Sequence, residues 1–159
     1  PYFSYSAPEP TGVVGIVAPS GSPLLGLISV IAPVITGGNA CVVLAADADP
    51  CVAITFAEVV ATSDVPAGVI NILTGRISEL APHLAAHADV NALDLTGADA
   101  ELRESLGQAA AETVKRVYVP RGVPDFLAAP GTARLRAFLE IKTVWHPTGA
   151  LSLSGGTSY

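Results

Sequence analysis

Five short apolar blocks recur along the chain: Val13–Val17, Cys41–Leu44, Val69–Leu73, Ala92–Leu95 and Val117–Val119. The first is apolar without a break, as in a parallel strand covered on both faces. Helix-length segments separate the blocks. The first is expected to run from the Ser22 and Pro23 turn to about Thr36, with Ser22 as N-cap and Pro23 at the first helical position. Gly37, Gly38 and Asn39 stop it. Asp49 is placed to cap a second helix beginning at Pro50, and Ser78 a third over Ser78–Ala86. Asn91–Leu95 reads as a strand interrupted by Asp94. Asp99 or Ala98 then opens a helix to about Thr113, and Lys115–Val119 forms the last strand of the series. Short strands alternating with helices of ten or so residues predict right-handed βαβ units. The expected fold is α/β, a Rossmann-like open parallel sheet of about five strands with helices on both faces.

The rhythm changes after Pro120. Arg121–Gly131 reads as a connector, and Thr132–Phe138 as one or two helical turns. Over Glu140–His146 the chain alternates, with Ile141, Thr143 and Trp145 on one side and Lys142, Val144 and His146 on the other, as in an edge strand. Such a strand needs a partner, either the extended Pro1–Pro10 segment or a second subunit. The tail after Pro147 reads as loose, with Leu151 and Leu153 able to add a short strand. The expected organisation is a Rossmann-like domain with an N-terminal arm over 1–122, a connector over 123–138, and an oligomerisation-type strand with its tail over 139–159.

Composition sharpens this picture. The 159 residues are 50% hydrophobic and only 14% charged, against about 25% charged in an ordinary globular chain. That points to surface covered by a partner, or to a small Ala/Val-rich domain. A formal net charge of −6 argues against nucleic acid and against anionic membrane, since Lys115 and Arg116 are the one adjacent basic pair. Leu24–Ile35, interrupted by Pro33, is too short to span a bilayer. No leader pattern is read at the start, so a cytoplasmic location is the expectation.

Ligands of open parallel sheets bind at the carboxyl ends of the strands. The rim comprises Pro19–Ser22, Ala45–Asp49, Thr74–Ile77, Thr96–Asp99 and Pro120–Gly122. Helix starts there offer N–H groups to a phosphate, yet Ala45 and Ala46 carry no donor and Asp47 and Asp49 repel anions. Gly12 and Gly15 lie before and inside a strand, where a dinucleotide fingerprint does not place them; Gly15 reads as a close-packing position. Cys41 reads as a buried strand residue and Cys51 as a thiol near a helix start, neither with a base beside it. His83 and His87 share a helix face without a following Glu or an evident third ligand, so no metal is expected. Glu101, Arg103 and Glu104 read as a solvated helix face, and Glu79 as a complement to its helix dipole.

Several ordered segments resemble the NAD(P)-dependent aldehyde dehydrogenase superfamily. Pro10–Pro19 is similar to its first cofactor-domain strand; Ile31-Ala32-Pro33 and Gly38–Val43 to the following helix and strand; Val65–Gly75 to its most specific segment; Asp94–Ala98 to its Phe-Thr-Gly-Ser turn. Glu140–Trp145 resembles the strand that helps form the family's dimer. The resemblance implies a cofactor rim at Pro19, Ser20, Ala45, Gly75, Thr96 and Gly97, and an interface at Glu140, Ile141, Lys142, Thr143, Val144 and Trp145.

The departures fall on working residues. Gly21 stands where the family's oxyanion-donating asparagine is found, Ala45 in place of its cofactor lysine, and Pro120 in place of its general-base glutamate. Ile77 and Ala81 replace further family glycines. About 20 residues join Pro120 to Glu140 where the family has a whole catalytic domain, and neither cysteine matches its nucleophile. Without base, donor and nucleophile, aldehyde oxidation by this chain alone is not expected. The chain resembles the non-catalytic domain that follows the active one in some long members. It is expected to be a structural or assembly unit with a vestigial rim and no catalytic residue. No cofactor is expected; self-association or a dehydrogenase partner is. Two alternatives stay open: an NAD- or NADP-binding part of a dehydrogenase whose catalytic cysteine domain is elsewhere, and a small nucleotide-binding module.

Overall fold

The apolar blocks fold as neighbouring strands of one sheet. A computed structural model describes residues 2–147 of the chain; the expected strand at Leu151 and Leu153 lies outside them. In order, the elements are β1 (Tyr2–Pro10), β2 (Val13–Val17), α1 (Leu25–Thr36), β3 (Ala40–Leu44), α2 (Pro50–Ala61), β4 (Ile70–Leu73), α3 (Ile77–Ala86), β5 (Ala92–Asp94), α4 (Ala100–Ala111), β6 (Arg116–Tyr118), α5 (Ala133–Ala137) and β7 (Leu139–Pro147). Strands β2 to β6 form a five-stranded parallel sheet in the order β4-β3-β2-β5-β6. The α/β, Rossmann-like architecture is as the alternation predicts.

Both faces are covered over the middle of the sheet, which is why β2 and β3 are apolar without polar alternation. On one face Val14, Ile16 and Val43 pack with Leu27, Val30, Ile31 and Val34 of α1 and with Phe138. On the other, Val17, Leu44 and Leu93 pack with Ala81 and Ala85 of α3 and Leu106 and Ala110 of α4. Gly15 is the close approach its position suggests: a β-carbon there would lie 2.8 Å from Leu84 Cγ.

Helix starts depart from expectation in detail. Helix α1 begins at Leu25, and Ser22 contributes its backbone carbonyl to Gly26 N–H at 2.8 Å, not a side-chain cap. Helix α3 begins at Ile77, so Ser78 lies inside it. Asp49 holds the cap position of α2 without a side-chain bond. Asp99 does cap α4, accepting from Leu102 N–H at 2.8 Å. Helix α4 stops at Ala111 because Val114 takes a positive φ of 55°, a turn conformation that a β-branched residue rarely adopts.

A buried side chain invisible to patterning joins the parts. Asn39 accepts from Gly12 N–H at 2.9 Å and donates to Val34 O at 3.1 Å and Phe138 O at 3.0 Å. It ties the start of β2, the end of α1 and the approach to β7.

Strand β7 finds its partner in the N-terminal segment. β1 and β7 pair antiparallel from Tyr2↔Pro147 to Pro10↔Leu139, forming a separate two-stranded ribbon. Ser6 and Thr143 hydroxyls bond at 2.9 Å, Lys142 Nζ lies 3.1 Å from Glu9, and Tyr2 stacks on Trp145 at 4.5 Å between ring centroids. Arg116 grips Glu140 with two N–H donors, at 2.7 and 2.6 Å, fixing the ribbon's root to β6. The alternation along β7 does not translate into one buried side: Ile141 and Trp145 are 66% and 59% exposed.

Candidate functional site: a crevice with two unlike ends

Parallel strands deliver the β2–α1, β3–α2, β4–α3, β5–α4 and β6 loops to one edge of the sheet. The crossovers from β2 lead toward β4 on one side, while β5 and β6 lie on the other. The switch point between β2 and β5 is where an open sheet of this class forms a crevice.

At the β3–β4 end the chain supplies its own anion. Ile77 N–H, at the start of α3, donates to the Asp47 carboxylate at 3.1 and 3.3 Å. The carboxylate thus sits on the positive end of the helix, where a phosphate would otherwise be favoured. Ala45 and Ala46 are buried beneath it and offer no side-chain donor. Gly75, with φ 149°, turns the chain between β4 and α3; a β-carbon there would approach Leu80 to 2.9 Å.

At the β2–β5 end the crevice is open. Pro19, Ser20, Gly21 and Ser22 face Thr96 and Gly97 across a cleft of about 480 Å³, whose remaining wall is Gly122, Val123, Pro124 and Phe126 of the connector. Gly97 is required by packing: its β-carbon would lie 2.0 Å from Ala18 O. Arg103 lines the cleft too. It is half-buried, not the solvated residue its helix pattern predicts, and donates through Nε to Leu95 O and through Nη2 to Thr96 O, each at 3.3 Å.

Beneath this end lies a polar cluster that the sequence shows only as an interruption of a strand. Asp94 is fully buried at the end of β5. It accepts from Thr96 N–H at 3.0 Å and from the Thr96 hydroxyl, and it is ion-paired with Arg134 of α5. Arg134 also donates to Thr96 Oγ1 at 2.9 Å and lies 4.7 Å from the centre of the Tyr118 ring. Burial pushes the Asp94 carboxyl above its ordinary range, against the opposing pull of Arg134 and Thr96. Forty residues separate the two charged partners, so no local spacing announces them.

The other candidates stand apart. Cys41 is buried in β3, and burial pushes its thiol up to about 12; Cys51 is exposed in the first turn of α2. Glu79 pairs with Arg76 at 3.0 Å. Among the described residues no three His, Cys, Asp or Glu side chains converge as metal ligands, and no helix is long and apolar enough to cross a membrane.

Comparison with known proteins agrees with this architecture. Residues 1–140 match the aldehyde dehydrogenase family. The chain is 42% identical over 102 residues to a hydroxyisobutyraldehyde dehydrogenase of Mycolicibacterium austroafricanum, covering 64% of this chain and 20% of the relative. It is 35% identical over 120 residues to a cytosolic 10-formyltetrahydrofolate dehydrogenase of Xenopus laevis, covering 76% and 13%. Among solved structures, aldehyde dehydrogenase C of Pseudomonas syringae, crystallised with NAD+ and octanal, superposes with a TM-score of 0.70 at 33% identity, covering 73% of this chain and 24% of that one. The chain belongs to the aldehyde dehydrogenase family, and it spans a quarter or less of these relatives.

Family members use NAD(P). In this crevice the Asp47 carboxylate accepts from the first N–H of α3 and the Asp99 carboxylate caps the first turn of α4.

Proposed function

We propose that this chain is a non-catalytic aldehyde-dehydrogenase-like assembly unit that self-associates, or docks on a dehydrogenase, through the β1–β7 ribbon. The carrying observation is the ribbon itself. Two nine-residue strands pair along their length while Tyr2, Phe3, Ile141 and Trp145 remain 57–66% exposed. An isolated two-stranded ribbon is marginal in water, and a third surface over these side chains supplies the missing burial. Glu140, Ile141, Lys142, Thr143, Val144 and Trp145 form one strand of that interface, with β1 as the other. The rim at Pro19, Ser20, Ala45, Gly75, Thr96 and Gly97 is framework that this unit keeps without using it for hydride transfer. The lost donors at Gly21 and Ala45 and the carboxylates at two helix starts support that reading.

Size-exclusion chromatography with light scattering at micromolar concentration tests it. A dimer is expected for the chain, and a monomer with unchanged circular dichroism for Trp145→Glu. A wild-type monomer that also fails to bind a family dehydrogenase overturns the reading.

A second reading keeps this chain as the NAD(P)-binding part of a dehydrogenase whose catalytic cysteine lies on another segment. The superposition on an NAD+-bound relative favours it. Calorimetric titration decides: saturable heat with NAD+ or NADP+ supports the second reading, and none supports the first.

A further inference from the structure

The open end of the crevice, where the family resemblance puts the rim residues Pro19, Ser20, Thr96 and Gly97, also carries a cation that assembly does not account for. One of its walls is the connector, Gly122 to Phe126. The cleft's volume of about 480 Å³ falls within the roughly 300–1,000 Å³ of small-molecule sites.

Its chemistry is asymmetric. Pro19, Pro124 and Phe126 make apolar walls, while Ser20, Ser22 and Thr96 bring hydroxyl-bearing residues to it. Arg103 is the one charged residue lining the cleft among the described residues. Two of its N–H donors reach neutral backbone carbonyls at a long 3.3 Å. Among the described residues the others have no partner, and no carboxylate lies within ion-pairing distance. A half-buried guanidinium without a counter-ion, in a chain of net charge −6, is a fork presented to a bidentate anion.

We propose that this cleft binds a small organic carboxylate, with the carboxylate on Arg103 and a compact apolar body against Phe126 and Pro19. One guanidinium matches one carboxylate. A phosphate dianion or a nucleotide would call for more positive charge and more donors than the cleft offers. The assignment does not depend on the β1–β7 ribbon, so it survives a monomeric result in the association experiment.

Gly21 provides a clean way to test it. A β-carbon there meets nothing within 4 Å, and its φ is not positive. Gly21→Leu therefore fills the cleft without disturbing the fold. The probe is sodium benzoate, followed by amide and Arg Nε chemical shifts in a 15N-labelled protein. Saturable shifts at Gly97 and Arg103 are expected. Benzyl alcohol, which keeps the ring and loses the charge, is expected to bind roughly tenfold more weakly or worse. Gly21→Leu is expected to abolish the shifts with an unchanged melting midpoint, and Arg103→Lys to weaken binding roughly tenfold by removing the fork. Three results each overturn the proposal: no saturable response in the wild type, equal response to benzyl alcohol, or undiminished response in folded Gly21→Leu.

Discussion

The two ends of the carboxyl-edge crevice were built from the same βα-turn geometry and came out opposite. At the β3–β4 end, the Asp47 carboxylate lies on the start of α3 and buried Ala45 and Ala46 form the floor. At the β2–β5 end, the cleft is unfilled, an arginine faces it, and a buried ion pair supports it from below. The contrast teaches that a helix start alone does not make a ligand site. What decides is whether the chain's own carboxylate reaches it first.

The strongest way to break the contrast is to remove the support of the open end. Arg134→Met leaves Asp94 buried without its counter-ion and is expected to destabilise the fold by about 3–5 kcal/mol in chemical denaturation. The double variant Asp94→Leu/Arg134→Met replaces the pair by apolar groups and is expected to recover most of that loss. The sign with pH follows from the direction of the Asp94 shift. Its carboxyl titrates above the unfolded value, so its contribution is most favourable when protonated, below the ordinary range near ~4, and declines as pH rises through the folded pKa. The Arg134→Met defect is therefore expected to shrink in acid. A defect that grows on acidification would contradict the assigned direction.

A smaller effect is expected at the closed end. Asp47→Ala removes an acceptor from an exposed loop and is expected to cost about 1 kcal/mol, read as a lower urea midpoint at unchanged slope. It also tests the comparison directly: with Ile77 N–H released, the two ends should become more alike. The smallest effect is a reporter rather than a perturbation. In the folded wild type one thiol, Cys51, is expected to react with Ellman's reagent near neutral pH, while Cys41 stays silent, buried and with its thiol pushed up to about 12. Exposure of the second thiol in Arg134→Met would show that the damage at the open end has spread into β3.

Much of the framework was legible because it depends on local rules. Continuous apolar runs such as Val13–Val17 mark strands covered on both faces, and Asp99 three residues before Leu102 marks a helix start. The rim of the crevice follows from strand direction alone. What was not legible involves partners far apart in sequence. Asp94 looks like a flaw in a strand until Arg134, forty residues on, is brought beneath the β5 turn. Arg103 sits between Glu101 and Glu104 as a solvated residue would, yet the backbone carbonyls of Leu95 and Thr96 draw it inward. Asn39 reads as a helix stop and proves to be a three-way clasp.

The amino-acid sequence by itself determined the parallel sheet, its helices and its family, because periodicity, turn chemistry and residue type are written locally. The tertiary structure alone decided which strand β7 would pair with, which helix start would be occupied by Asp47, and where a lone guanidinium would face an open cleft. Those outcomes rest on side chains meeting across long loops, and a one-dimensional pattern carries no distance between them.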